Sequence, residues 1–276
     1  MTENIIILAG GASSRMKKST EQNLSSEKNT QANQLSKGLI ELGGRPFLSY
    51  LLNNILEAEF KNIYIITGEN HQMFRDAFDN HPNLDSLKIK FATQHIPEGR
   101  EKPYGTADAL YQCLQQYPHL KEDTFCVCNS DNLYSLKALK MLRNATPSQA
   151  ILAYDIDHLE YPKERISRFA VMRFNKNYDL LAIVEKPEPS RMANYTDAHQ
   201  KIRVSMNIFL FDGKSFFKYL ENCTPHHIRD EKELPTALMN MIDDNIQVLG
   251  IPIAEHVPDL TSKKDILLLE KYFNQQ

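Results

Sequence analysis

Hydrophobic positions in the first half of the chain fall into short, near-continuous runs separated by stretches of helical period. Ile5–Leu8, Ile63–Thr67, Leu87–Ala92 and Phe125–Cys128 are apolar runs of strand length. Between them, Phe47–Ala58, His71–Phe78, Thr106–Gln116 and Leu136–Leu142 carry the spacing of helices. Apolar strands alternating with helices predict a parallel sheet buried on both faces. The second half is less regular. Ala150–Tyr154, Arg168–Arg173, Leu181–Val184 and Arg203–Phe211 read as strands, and Gly213–Leu220, Lys232–Ile242 and Ser262–Phe273 as helices, so a mixed extension of the sheet is expected. Neither a Pro/Gly/Ser linker nor a repeat divides the chain, which predicts a single domain over 1–276. Residues 19–36 stand apart: Leu24, Ala32 and Leu35 are their only apolar residues and they hold no Gly or Pro, the composition of a mobile polar loop.

Composition narrows the class of protein. The chain of 276 residues, 42% hydrophobic and 24% charged, is long enough for a substantial core and ordinary for a soluble protein. Its formal net charge of −3 supplies no global field for nucleic acid or an anionic membrane, so any phosphate recognition must be local. No apolar run approaches the ~18 residues of a membrane-spanning helix, and Ile5–Ala9 is too short for a signal-peptide core. The four cysteines lack metal-ligand spacing; Cys126 and Cys128 share one strand face and read as buried small hydrophobes. A cytoplasmic, reduced protein is expected.

The chemistry starts where the first strand ends, in "LAGGASSRMKK". Gly10 and Gly11 permit positive φ and close backbone approach, which would turn N–H groups toward a phosphate, and Arg15 adds a planar cationic fork suited to phosphate oxygens. Neither the Walker spacing nor the G-x-G-x-x-G fingerprint is present. In parallel sheets ligands sit beyond the carboxyl ends of the strands, where "NSDN" (129–132) also falls. Adjacent His226 and His227 read as loop residues rather than metal ligands.

Five further stretches follow in order: "SKGLIELGGRPFLSYLL" (36–52), "YGTADAL" (104–110), "CNSDN" (128–132), "VEKPEP" (184–189) and "HVPDLTSKKDI" (256–266). In this order and spacing the chain resembles the sugar-1-phosphate nucleotidyltransferases, the nucleotide-sugar pyrophosphorylases, over essentially its whole length. The resemblance implies an α/β, Rossmann-like GT-A-type core with a mixed central sheet and helices on both faces. Residues 1–145 would bind nucleotide and 146–276 sugar phosphate. The implied reaction joins a nucleoside triphosphate to a sugar 1-phosphate with Mg²⁺, giving a nucleotide sugar and pyrophosphate. Those two substrates are the implied partners, with neither nucleic acid nor membrane, and a homo-oligomer is left open.

By the same resemblance Arg15, Lys37 and Asp131 are catalytic, and Asp131 and Asp259 hold the metal. Two carboxylates are the usual protein share of a Mg²⁺ shell that phosphates and water complete. Leu8, Ala9, Gly10, Gly11, Gln94, Gly105 and Thr106 would line the nucleotide site. The Gln94 amide can donate to and accept from a pyrimidine edge, which favours UTP or dTTP. Lys186 would meet the 1-phosphate, Glu185 a sugar hydroxyl and Asn207 the sugar; Glu233 is either a further sugar contact or a helix-surface residue. The chain departs from the family pattern in the 22 positions that separate Arg15 from Lys37 and in having no proline before that lysine, which leaves Lys17 and Lys18 as rivals. The opening stretch alone also resembles molybdopterin guanylyltransferases and short cytidylyltransferases, which are smaller and lack "EKP" and the late "DLT". A phosphocholine-type cytidylyltransferase would use the same core. A non-catalytic nucleotide-sugar-binding relative would have lost a metal carboxylate or the lysine, and Arg15, Lys37, Asp131, Lys186 and Asp259 all stand.

Overall fold

The computed structural model describes residues 1–69, 71–78, 84, 86–185 and 187–273. The first half runs β1 (Asn4–Leu8), α1 (Ser14–Lys18), α2 (Ser26–Gln34), β2 (Glu41–Leu42), β3 (Arg45–Pro46), α3 (Phe47–Glu57), β4 (Asn62–Thr67), α4 (Gln72–Phe78), β5 (Lys88–Thr93), α5 (Thr106–Gln116), β6 (Thr124–Asn129) and α6 (Leu136–Arg143). The second half runs β7 (Ala150–Asp155), α7 (Lys163–Ile166), β8 (Val171–Phe174), β9 (Leu180–Val184), β10 (Arg203–Val204), β11 (Ile208–Asp212), α8 (Gly213–Glu221), α9 (Leu234–Asp243), β12 (Leu249–Ile253) and α10 (Lys263–Phe273). Among the described residues no helix is long and apolar enough to cross a membrane.

Ten strands form one sheet in the order β5-β4-β1-β6-β11-β7-β10-β8-β9, with β12 added alongside β7. The β5-β4-β1-β6 block is parallel, as the strand–helix alternation predicts. β11 enters antiparallel between β6 and β7, and β10, β8 and β9 extend the sheet antiparallel, which is the expected mixed extension. The pleat separates two cores. Ile5, Ile7, Cys126 and Cys128 pack against α3, α6 and α10, while Ile6, Phe125 and Val127 pack against α5, α8 and α9. Helices therefore cover both faces, which is why these strands have no polar alternation. The four cysteines are free and buried, as expected.

Two expectations are corrected. Residues 19–36 are not a loop, because Ser26–Gln34 forms α2, with the Ser25 hydroxyl accepting from Lys28 N at 3.2 Å as its N-cap. Polar groups fasten this helix. Gln31 Oε1 accepts from Glu41 N at 3.0 Å, Gln31 Nε2 donates to the Glu41 carboxylate at 3.2 Å, and Lys28 donates to the Glu41 carbonyl. The three apolar residues of 19–36 also face inward, Ala32 on the helix fully buried and Leu24 and Leu35 on either side of it packed on the core. Anchoring through one side-chain amide and a lysine leaves no hydrophobic period to read. The second correction concerns Arg203–Phe211, which is two strands. Five steps of chain from Val204 to Phe209 face three from Tyr154 to Ile151, so Ser205–Asn207 bulge out of the ladder. Asn207 takes a left-handed φ of 57° there, a conformation its short amide tolerates better than most side chains.

Candidate active site

The parallel block ends on one side of the sheet, and its loops gather there around a cavity of about 430 Å³. β1 delivers Leu8, Ala9, Gly10 and Gly11 to this cavity, Lys37 arrives from the connection after α2, Gln94 follows β5, Gly105 and Thr106 open α5, and Asp131 follows β6. Backbone pairing prolongs the strands into the site: Ala9 N donates to Ile66 O at 2.8 Å, Gln94 N to Thr67 O at 2.8 Å and Ser130 N to Leu8 O at 3.1 Å. Arg15 lines the same wall on α1, which the fully buried Met16 anchors to the core. All seven expected nucleotide residues and all three expected catalytic residues therefore meet at one cavity.

The backbone freedom lies elsewhere than the turn suggested. Gly10 and Gly11 are absent from the residues with positive φ, whereas Ser13 has φ 54° and Gly105 φ 101°. A Cβ on Gly11 would meet nothing within 4 Å, so the missing side chain leaves the cavity wall open rather than relieving strain. Gly105 is the tightly constrained glycine, because a Cβ there would lie 2.3 Å from the Lys232 carbonyl oxygen. That carbonyl accepts from Ala107 N at 2.9 Å, Lys232 N donates to Tyr104 O at 2.7 Å, and Leu234 N donates to the Thr106 hydroxyl at 2.9 Å. The α5 entrance is thus laced to the segment that brings Glu231 and Glu233 to the cavity. Thr106 uses its hydroxyl on Leu234 instead of capping its own helix.

Lys37 Nζ lies 2.7 Å from Asp131 Oδ2, with both side chains partly buried. Lys17 and Lys18 are exposed and do not line the cavity, so the geometry favours Lys37 over its rivals. Asp259 is brought beside Asp131 by backbone pairing: Asn132 bridges Asp259, and Leu260 N donates to Asp131 O at 2.8 Å. Burial and the neighbouring Asp131 charge push the Asp259 carboxyl above the ordinary carboxylate range, and Arg165 opposes them. Arg165 reaches Asp259 Oδ2 at 3.0 Å and Asp265 Oδ1 at 2.5 Å, while Thr261 donates to Asp259 Oδ1 at 2.6 Å. Asp265, rather than Asp259, caps the last helix by accepting from Thr261 N and Ser262 N. Two carboxylates that repel each other beside Lys37 and Arg165 have the hard-oxygen chemistry of a divalent-cation site. Among the described residues no three ligating side chains cluster, so phosphate and water would have to complete such a shell.

The residues expected at the sugar are more dispersed. Glu185 is exposed and ion-paired with Arg229, whose Nη1 also lies 2.6 Å from Glu233 Oε1 in the cavity wall. Burial raises the Glu233 carboxyl above its ordinary range and Arg229 counteracts it. Glu233 is therefore a wall residue and not a helix-surface one. Asn207 is exposed and adjoins the pair Ile208–Cys128 near the end of β6, outside the cavity lining. Lys186 lies outside the described residues.

Gln94 differs from its expected role. Its Nε2 donates to Gly105 O at 3.0 Å and to Asp108 Oδ2 at 2.8 Å, which uses both amide hydrogens. The side chain can therefore accept from a base but not donate to it. Sequence reasoning also missed Ser13, Ser14, Lys102, Ser130 and Glu231 in the lining. Lys102 carried a readable signal, a cation three residues ahead of a glycine at a helix entrance.

A profile of the family described as "Nucleotidyl transferase" matches residues 4–251. The chain belongs to this nucleotidyl transferase family. The curated relatives it resembles include glucose-1-phosphate adenylyltransferase 1 of Vibrio cholerae serotype O1, 26% identical over 219 residues that cover 78% of this chain and 50% of the relative. A second is glucose-1-phosphate adenylyltransferase of Hydrogenovibrio crunogenus, 26% identical over 278 residues that cover 97% of this chain and 61% of the relative. The chain thus spans about half to three-fifths of the length of these relatives. Among solved structures, UDP-glucose pyrophosphorylase complexed with UDP-glucose superposes with a TM-score of 0.74 at 16% identity, covering 100% of both chains. The nucleotidyl transferase fold expected from the motifs is the fold observed.

Proposed function

We propose that the protein transfers the nucleotidyl group of a nucleoside triphosphate to a sugar 1-phosphate, releasing pyrophosphate. The observation that carries this reading is the convergence of Arg15, Lys37, Asp131 and the Gly10–Gly11 turn on one cavity whose far wall is the Gly105–Thr106 helix entrance. A phosphate oxygen of the sugar 1-phosphate attacks the α-phosphorus, and the bond from that phosphorus to the β-phosphate oxygen breaks. Such chemistry needs charge neutralised and an in-line approach held more than it needs covalent help. Arg15 and Lys37 supply fixed positive charge at the triphosphate, and Lys37 exchanges its partner Asp131 for phosphate oxygens when substrate arrives. Mg²⁺ held by Asp131 and Asp259 would neutralise the developing charge on the leaving pyrophosphate. In this reading Asp131→Ala and Asp259→Ala each abolish Mg²⁺-dependent turnover, and retention of activity across a Mg²⁺ titration refutes the ligand role.

Glu185 and Asn207 are assigned to the sugar, joined by Glu233 through the Arg229 link, and Lys186 to the 1-phosphate. Lys186→Ala then raises the KM for sugar 1-phosphate more than that for nucleotide. For the base we favour adenine. The acceptor-only face of Gln94 suits an exocyclic amine, and the relatives are named as adenylyltransferases. UTP or dTTP is the second reading, because N3–H of uracil or thymine is also a donor and the superposed fold neighbour carries UDP-glucose. A matrix of nucleoside triphosphates against sugar 1-phosphates, read by pyrophosphate release, tests both levels. The reading predicts release only when both substrates are present, fastest with ATP. Release from the triphosphate alone contradicts it.

A further inference from the structure

The Gln94 amide enters the cavity from the end of β5 with its orientation set from behind. Its two hydrogens point at two acceptors, Gly105 O and Asp108 Oδ2, at 3.0 and 2.8 Å. Turning the amide over would set oxygen against both, so only one orientation is compatible with its surroundings. Oε1 is left beside the backbone of Gly10, 3.4 Å from where a Cβ on that residue would stand. Among the described residues no donor pairs with it. Gln94 and Asp108 are both buried, at 4% and 8% exposure, so water does not substitute freely for either partner.

Asp108 is itself held in place. It lies in the first turn of α5, where a carboxylate is favoured by the helix dipole, and its Oδ2 also accepts from Gln112 Nε2 at 2.9 Å. Gln112 in turn closes on the chain just after Gln94, accepting from His95 N at 2.9 Å and donating to His95 O at 3.0 Å. One face of α5 therefore fixes the backbone at 95 and the side chain at 94 together.

We propose that Asp108 is a positioning residue that sets base specificity: by holding the Gln94 amide with its oxygen toward the cavity, it selects a base edge that presents an N–H. The inference rests on the reading of this cavity as the nucleotide site and deepens it. Asp108 does not touch the base; it acts through Gln94. Without Asp108 the amide is held by Gly105 O alone and can turn, presenting Nε2 to a carbonyl on the base.

ATP and purine riboside triphosphate test this directly, since they differ only at the group read: without the 6-amine of adenine, purine presents no N–H on that edge and only the N1 acceptor remains. The wild-type enzyme is expected to prefer ATP in kcat/KM and in Kd by calorimetry. Asp108→Ala should lower the ratio of ATP to purine riboside triphosphate by about tenfold, the size of one hydrogen-bond mismatch, with the KM for sugar 1-phosphate unchanged within about twofold. Asp108→Asn keeps an oxygen at the same place and should retain the wild-type ratio. Asp108→Ser, too short to reach the amide, takes the place of the alanine variant if that one does not fold. Gln94→Leu separates the two levels of the argument. If it leaves the ratio unchanged, or if the wild type does not discriminate, the base reading fails and the inference falls with it. If it collapses the ratio while Asp108→Ala and Asp108→Ser keep it, the role of Asp108 alone is overturned.

Discussion

Gly105→Ala is the substitution whose cost follows most directly from the geometry. Gly105 has φ 101° and ψ 179°, a region open essentially to glycine alone. Forcing alanine into it costs about 1–3 kcal/mol in backbone strain. The new methyl would lie 2.3 Å from Lys232 O and 2.9 Å from Lys232 C and N, backbone atoms with no rotamer to yield. The 232 segment must therefore retreat, weakening the bonds Ala107 N→Lys232 O and Lys232 N→Tyr104 O, each worth about 1 kcal/mol net. Together the terms come to about 3–5 kcal/mol. At about 2–4 °C per kcal/mol for chains somewhat shorter than this one, Tm should fall by roughly 10 °C in a calorimetric scan. Because Gly105, Thr106 and Glu233 line the cavity, the KM for nucleoside triphosphate should rise by about tenfold, the equivalent of 1.4 kcal/mol. A variant with wild-type Tm and nucleotide KM would refute the claim that this contact builds the site.

Three further outcomes are expected. Lys37→Ala should lower kcat/KM by about 10²–10³, as loss of a group that stabilises transition-state charge does, whereas Lys17→Ala should change it by less than about threefold; parallel steady-state kinetics compare them. Burying an unpaired carboxylate in Ala32→Asp should cost about 3 kcal/mol, visible in urea unfolding, if α2 packs on the core; a neutral result would return residues 19–36 to a loop. Burial holds the His256 imidazole below its ordinary 6.5, so the folded state favours the neutral ring. Its contribution to stability is complete above pH 6.5 and is lost as pH falls through the lowered folded value; His256→Asn should flatten the stability curve in that acid range.

The parallel half was readable because its strands are buried on both faces, and continuous apolar runs such as Ile5–Leu8 and Phe125–Cys128 mark that environment. The meeting of Leu8 to Gly11, Arg15, Lys37 and Asp131 at one cavity was legible because strand ends and motif order bring them to the same edge of the sheet. Helix α2 was hidden because the Gln31 amide and Lys28, both on Glu41, fasten it. The bulge at Ser205–Asn207 was masked by the strand formers on either side of it, Val204 and Ile208–Phe211. Gln94 could be placed at the cavity but its hydrogen bonding could not be read, since the partner that uses up its hydrogens with Gly105 O, Asp108, lies on a different element. Glu233 became a wall residue only through the pairing of residues 104–107 with 232–234.

Whether the sugar phosphate attacks the α-phosphorus is decided by the fate of a phosphorus label. Parallel reactions with a sugar 1-phosphate and ATP labelled at the α or the γ position separate the possible bond cleavages. The α label is expected in a nucleotide sugar and the γ label in pyrophosphate, in equal amounts and only when sugar 1-phosphate is present. The γ label in a doubly phosphorylated sugar, or in inorganic phosphate without transfer of the α label, would contradict it.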